Sequence, residues 1–299
     1  MHLELKKKYK PSDIDLLLNK EWKFIKNNKK LEYLNIPFSF DIETTSFYNE
    51  VGEKQRTMYA WVFAINGCGI IGRTWDEWKL CLKYVSDYFE LNDKRRIICW
   101  IHNLAFEFSF IQHLFNWDNV FATDERKPVY AISNGFEFRC SYILSGYSLD
   151  MVAKNLVHYK IKKLKGDLDY SLMRHCRTPL TELETDYILN DGLILNAYVA
   201  ELLEQYGDFH KLPLTKTGFV RKYVRNECLY GGNKSHKKSG TYTAYTKYRD
   251  LMDIMKIPSL QAYEQMKRVY CGGFTHANAL YSGVVIEDVT SYDFSSSYP

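Results

Sequence analysis

The stretch FSFDIETTSF, residues 38–47, constrains this chain more than any other. Side chains alternate across a β-strand, so Phe38, Phe40 and Ile42 make one apolar face while Ser39, Asp41 and Glu43 share the opposite one. The apolar face needs a core to pack on. The other face carries two carboxylates whose Cα atoms lie roughly 6.5–7 Å apart, from a rise of about 3.3 Å per residue. Such a pair can bracket two divalent ions about 3.5–4 Å apart, the arrangement used in phosphodiester cleavage. On its own, D-x-E is more often the solvent side of a strand.

The flanking sequence builds an α/β pattern. MYAWVFAI (58–65) and CGIIGR (68–73) surround Asn66-Gly67, a two-residue hairpin signal, so three strands follow one another. Thr74 with Glu77 forms a capping box, and Trp75, Trp78, Leu82, Val85 and Phe89 recur at helical spacing, which predicts a helix over 75–91. RRIICWIH (95–102) reads as a buried strand feeding a helix that begins near Asn103. VYAIS and FEFRCSY around Asn134-Gly135 read as a second hairpin, and SLDMVAKNLVHY (148–159) as a helix. The longest helix is expected from Pro179 to Tyr206, opened by Thr178 or Thr181 and closed by Gly207. A mixed sheet flanked by helices results, compatible with a ribonuclease H-like domain. Residues 1–36 read as an N-terminal extension with one or two helices, 207–262 as a connecting or inserted region, and 263–299 as the start of something new.

Two further groups of polar residues bear on the carboxylate pair. Tyr187 and Asp191 are spaced i, i+4 and share a helix face, so Asp191 could complete a metal site while the Tyr hydroxyl positions a water. In HNLAFEF (102–108), His102, Asn103 and Glu107 gather at a strand-to-helix junction, with Asn103 and Glu107 one turn apart.

In this order, the three stretches resemble the exonuclease motifs of family B DNA polymerases, proofreading nucleases of the DEDD type with a Tyr in the last motif. The similarity is greatest to the protein-primed subgroup of phages and linear plasmids. LKGDLDY (164–170) looks like that subgroup's additional Lys motif, YCGGF (270–274) resembles its YxGG motif, and YDFSSSYP (292–299) resembles DxxSLYP at the start of the palm. The resemblance implies that Asp41, Glu43, Glu107 and Asp191 hold two Mg2+ or Mn2+ ions, that Tyr187 orients the nucleophile and that Lys165 touches the phosphate at the scissile bond. It implies that Thr44, His102, Asn103, Phe106, Ser141 and Tyr170 hold a single-stranded 3′ end, and that Tyr270, Gly272, Gly273 and Phe274 contact DNA. Asp293 would be a palm metal ligand and Tyr298 would screen the sugar of an incoming nucleotide.

The implied activity is a 3′→5′ exodeoxyribonuclease, within a polymerase that replicates DNA from a terminal protein primer. The implied partners are single-stranded and primer-template DNA and a terminal protein, with the chain a monomer. The sequence stops inside the DxxSLYP motif, so polymerisation is not expected from it alone. Two positions depart from the pattern. Glu107 stands where the family usually has Asp, and its extra methylene moves the carboxylate about 1.5 Å outward. Cys140 precedes Ser141 where an acidic residue is frequent. A weakly active or inactive single-stranded DNA binding module is the alternative from another class, and an RNA exonuclease is a third.

Composition narrows the setting. Of 299 residues, 46% are hydrophobic, enough to bury a core, yet no apolar run reaches the length of a membrane span. The N-terminus, MHLELKKKYK, has no apolar signal core, so a soluble, cytoplasmic protein of a bacterial host is expected. The 7 Cys lack any C-x-x-C pair, which argues against a disulfide framework or a structural zinc site. A net charge of +4 is too mild to assign nucleic-acid binding by itself.

Overall fold

The computed structural model describes residues 7–11, 14, 18, 22–27, 30–164, 172–230, 253–254, 259–269, 283–285, 287–288 and 290. The chain divides into two compact units, Met1–Val224 and Arg225–Pro299.

In the first unit, strands β1 (Lys7–Tyr9), β2 (Phe24–Lys26) and β3 (Glu32–Leu34) precede the long strand β4 (Phe38–Tyr48). β4 pairs antiparallel with β5 (Lys54–Ile65), which turns through Asn66-Gly67 into β6 (Cys68–Gly72). Asn66 and Gly67 both have positive φ, 48° and 86°, as the expected tight turn requires. Helix α1 (Trp75–Phe89) carries the Thr74–Glu77 capping box and stops where Glu90 turns left-handed, so it ends short of the expected residue 91. β7 (Arg95–Ile101) leads into α2 (Leu104–Ile111). β8 (Asn119–Ala122), β9 (Pro128–Ser133) and β10 (Phe136–Cys140) follow, the last two joined by the Asn134-Gly135 hairpin.

The sheet has 10 strands, eight of them in the order β1-β6-β5-β4-β7-β10-β9-β8, with β3 pairing β7 off this path and β2 pairing β3. β4 and β10 both run parallel to β7, while the outer pairs β4–β5, β5–β6, β9–β10 and β8–β9 are antiparallel. This mixed sheet flanked by helices is the arrangement expected of a ribonuclease H-like domain.

Three helices follow the last strand: α3 (Ser141–Ser145), α4 (Leu149–Asn155) and α5 (Glu182–Tyr206). α4 stops well before Tyr159 because Glu201 Oε1 accepts the backbone N–H groups of Val157, His158 and Tyr159 at 2.8, 2.7 and 3.0 Å. Those donors are thereby drawn out of a helical ladder. α5 starts at Glu182 because Thr181 and Glu184 form its capping box, and Gly207, with φ 81°, closes it. α6 (Lys216–Tyr230) lies in the stretch read as a connector. In the second unit, Ser259 precedes helix α7 (Leu260–Val269) and its Oγ accepts from Ala262 N at 3.1 Å.

The sheet buries both faces. Phe38, Phe40 and Ile42 join Trp61, Phe63, Trp78, Val85 and Leu104 in one core between the sheet, α1 and α2. On the opposite face α5 packs Ile188, Leu189 and Leu193 on Tyr59, Ala60, Val62 and Ala64, and Leu195, Val199 and Leu203 on Ile98 and Trp100.

One expectation for residues 1–36 is corrected. Ile14 and Leu18, a turn apart, are helical and buried in the first core, but β1, β2 and β3 are strands of the same sheet. β3 is too short to display periodicity and is held by pairing in parallel with β7, Leu34 opposite Ile97. Its charged neighbours satisfy one another, with Lys26 and Glu32 joined across β2 and β3 at 3.2 Å.

Candidate active site

The β4 ladder aims the two carboxylates. Asp41 is paired opposite Val62 and Glu43 opposite Ala60, and the register then slips between Glu43 and Thr44, so Thr44 faces Met58. A bulge of this kind twists a strand and re-aims its side chains. Ser39, on the same face, donates its hydroxyl to Gly192 O of α5 at 3.0 Å, so this face looks onto that helix. Gly192 allows the approach: a Cβ there would sit 3.1 Å from Val62 Cγ1. The neighbouring Asp191 is thereby brought to the strand. One oxygen from each of Asp41, Glu43 and Asp191 lies within 4.8 Å of the other two.

Glu107 approaches from α2. Asn103 adopts a left-handed conformation, φ 68°, which turns the chain sharply from β7 into the helix and puts Glu107 in its first turn. Glu107 is 3% exposed, and its carboxyl and that of Asp41 shift one another's protonation. It therefore meets the trio through Asp41.

Crowding these acids makes protons expensive to release. Burial, and then the Asp191 charge, push Asp41 up to about 7. Glu43 is pushed up to about 8 by burial and then by Asp41 and Asp191. Burial also raises Asp191, and burial followed by the Asp41 charge raises Glu107 well above the ordinary range. Positive charge offsets part of this: Lys163 Nζ lies 3.1 Å from Asp191 Oδ2 and lowers Asp191, Asp41 and Glu43, and Arg174 also lowers Glu43. Asp191 Oδ1 and Glu107 Oε2 are buried without a hydrogen-bond partner among the described residues. Converging carboxylate oxygens with unpaired lone pairs fit hard divalent ions such as Mg2+ or Mn2+.

Beside the carboxylates, His102 Nδ1 is 3.0 Å from Ser141 Oγ, and the Ser141 hydroxyl donates to Ile101 O at 3.2 Å. The ring then donates from Nδ1 and leaves Nε2 as an acceptor. Burial, with Lys163 nearby, lowers His102 to about 4, so it is neutral at physiological pH. The exposed Tyr142 stands edge-on to the His102 ring at 5.8 Å. Phe106 is half-buried, with Phe110 at 5.3 Å and the Arg56 guanidinium 5.9 Å over its ring. Thr44 is half-buried at the bulge, Asn103 is exposed, and Tyr187 is half-buried one turn before Asp191. Lys165, Tyr170, Tyr270, Gly272, Gly273, Phe274, Asp293 and Tyr298 lie outside the described residues.

The segment leading into α5 is tied down from both sides. Arg174, 8% exposed, donates Nε to Glu184 Oε1 at 2.7 Å, and its backbone N–H reaches Thr45 Oγ1 at 3.3 Å. Arg73 donates to Tyr59 O, His175 O and Thr178 O at 2.8, 2.9 and 2.8 Å. The sequence reading missed Lys163, Arg174, Arg73 and Gly192. Gly192 had a signal, since a glycine next to a helical acid marks a close approach. Lys163 sits in a lysine run where spacing favours no single member, Arg73 acts through backbone carbonyls that no pattern reveals, and Arg174 pairs with a carboxylate ten residues away on the next helix.

No protein-family model and no curated protein matches this sequence. Among solved structures, phi29 DNA polymerase complexed with primer-template DNA and incoming nucleotide substrates matches with a TM-score of 0.54 and 19% identity, covering 83% of this chain and 41% of that one. The same polymerase complexed with single-stranded DNA matches with a TM-score of 0.50 and 19% identity over 64% and 35% of the two chains. The catalytic core of RRP6 from Trypanosoma brucei matches with a TM-score of 0.39 and 14% identity over 72% and 48%. At 19% identity the likeness to the polymerase is one of fold, and this chain spans about two fifths of the polymerase's length. Among the described residues no helix is long and apolar enough to cross a membrane.

Proposed function

We propose that the sheet and α5 form the 3′→5′ proofreading exonuclease of a protein-primed family B DNA polymerase, acting on single-stranded DNA 3′ ends. The strands before Pro37 belong to this module, residues 207–262 connect it onward, and 263–299 begin a polymerase palm. The observation that carries the reading is the convergence of Asp41 and Glu43 with Asp191, far away in sequence, beside the buried Glu107 carboxyl. Two divalent ions held by these carboxylates would activate a water and stabilise the leaving oxygen. The Tyr187 hydroxyl orients that water. His102 Nε2 accepts a hydrogen bond from the terminal nucleotide, and Phe106, backed by Arg56, gives its base a stacking surface. Lys165 contacts the scissile phosphate, and Thr44, Asn103, Ser141 and Tyr170 complete the grip on the strand. Contacts of this kind do not read base edges, so degradation is expected to be indifferent to sequence and to weaken steeply with salt.

The test is a 5′-labelled single-stranded DNA oligonucleotide incubated with the chain and Mg2+ or Mn2+. Stepwise shortening from the 3′ end, lost in Asp41→Ala/Glu43→Ala and with chelator, is the expected result. DNA binding without shortening would favour a non-hydrolysing binding module, the reading to which Glu107 in place of a shorter Asp points. Preference for an RNA oligonucleotide would count against a polymerase origin.

A further inference from the structure

We propose that Lys163 is a positioning residue, an internal counter-ion that holds Asp191 against Asp41 and Glu43 when no divalent ion is bound and yields the carboxylate when one arrives. The inference rests on reading the three acids as a metal centre. Lys163 lies in the segment after α4, anchored beside α5 by a hydrogen bond from Leu164 N to Asn190 Oδ1 at 3.2 Å. Its ammonium is 3.1 Å from Asp191 Oδ2, and the side chains are 27% and 8% exposed, so little water screens the pair. The same ammonium lies 6.0 Å from the centre of the Tyr187 ring, within reach of both residues assigned to the site on α5.

Three carboxylates within 4.8 Å of one another repel strongly at partial burial, and a unit positive charge on one of them lowers that repulsion. A divalent ion does the same job with twice the charge and takes the same oxygens. Ammonium and ion cannot both sit at hydrogen-bonding distance from Asp191 without repelling each other, so they compete. Lys163, on a flexible stem, is suited to swing off Asp191 towards solvent, or towards the phosphate of a bound strand, as the ion enters. Resting state and loaded state then share one Asp191 position, and α5 need not move.

The experiment is calorimetric titration of Mn2+ into the full chain without DNA, comparing wild type with Lys163→Met and Lys163→Arg. Met keeps the stem and removes the charge. About tenfold tighter Mn2+ binding is expected in Lys163→Met, with near-native affinity in Lys163→Arg. In chelator, Lys163→Met is also expected to melt earlier than wild type at pH 8, because the three acids lose their cation. Unchanged or weaker Mn2+ binding in Lys163→Met would overturn the inference, showing that the lysine neither competes with the ion nor guards its place. Asp41→Ala/Glu43→Ala is the control. If it binds Mn2+ like wild type, the metal-centre reading itself fails and takes the inference with it. If it loses binding while Lys163→Met gains none, only the role of Lys163 falls.

Discussion

Replacing Glu43 by Gln is expected to stabilise the metal-free protein, and by an amount that grows with pH. Glu43 is raised from its ordinary 4.5 to about 8, by burial first and by Asp41 and Asp191 next. A group whose folded value lies above its unfolded one contributes stability fully below the unfolded value and loses it as pH rises through the folded value. Between pH 5 and 7 the unfolded chain has released this proton and the folded chain still holds it, so each pH unit costs about 1.4 kcal/mol. The two units amount to about 3 kcal/mol at most, and since Glu43 is only half-buried and shares its field with Asp41, about 2 kcal/mol is expected. Gln carries neither charge nor proton and removes this dependence. Other groups slope the opposite way: the Glu137 carboxyl, held low by Arg139 against its burial, and neutral His102 both favour folding more as pH rises. The difference between variant and wild type cancels these and reports Glu43 together with its coupling to Asp41 and Asp191. Urea unfolding in chelator at pH 5, 6, 7 and 8 measures it, followed by tryptophan fluorescence, because Trp22, Trp61, Trp75, Trp78, Trp100 and Trp117 all lie in the first unit. Saturating Mn2+ should erase the advantage of the variant by stabilising wild type. A difference independent of pH, or one favouring wild type at pH 8, would refute the electrostatic reasoning.

Three other substitutions probe the scaffold and the DNA grip. Gly192→Val should cost about 1–3 kcal/mol, since its Cβ would start 3.1 Å from Val62, and should reduce nuclease activity by displacing Asp191; denaturation and single-turnover rates check both. Arg174→Met leaves the buried Glu184 without its guanidinium and should cost about 3–5 kcal/mol by urea unfolding, with partial recovery in Arg174→Met/Glu184→Gln. Arg56→Ala removes the cation over Phe106 and should raise KM for single-stranded DNA several-fold with kcat little changed, whereas a fall in kcat alone would place Arg56 outside the strand's path.

What could be read from the sequence was whatever carries its own period or cap. The alternation in β4, the Asn-Gly turns at 66–67 and 134–135, and the capping boxes at Thr74 and Thr181 are local devices, and each element they mark is present. β1 to β3 were not legible because three-residue strands owe their existence to partners elsewhere in the chain. The end of α4 was misjudged for a related reason: its next three N–H groups go to Glu201, more than forty residues away. In the site, the identity of the acids was legible and their arrangement was not. Spacing put Asp41 with Glu43 and Tyr187 with Asp191, but it could not say that Glu107 would meet the trio through Asp41, or that the lysine paired with Asp191 would be Lys163.

Crystals grown with Mn2+, measured at a wavelength where manganese scatters anomalously, address the central claim most directly. Anomalous density between Asp41, Glu43 and Asp191, absent from crystals of Glu43→Gln, is the expected result. Folded, ordered carboxylates with no such density at millimolar Mn2+ would contradict a metal-dependent nuclease and leave the acids as a structural cluster held by Lys163.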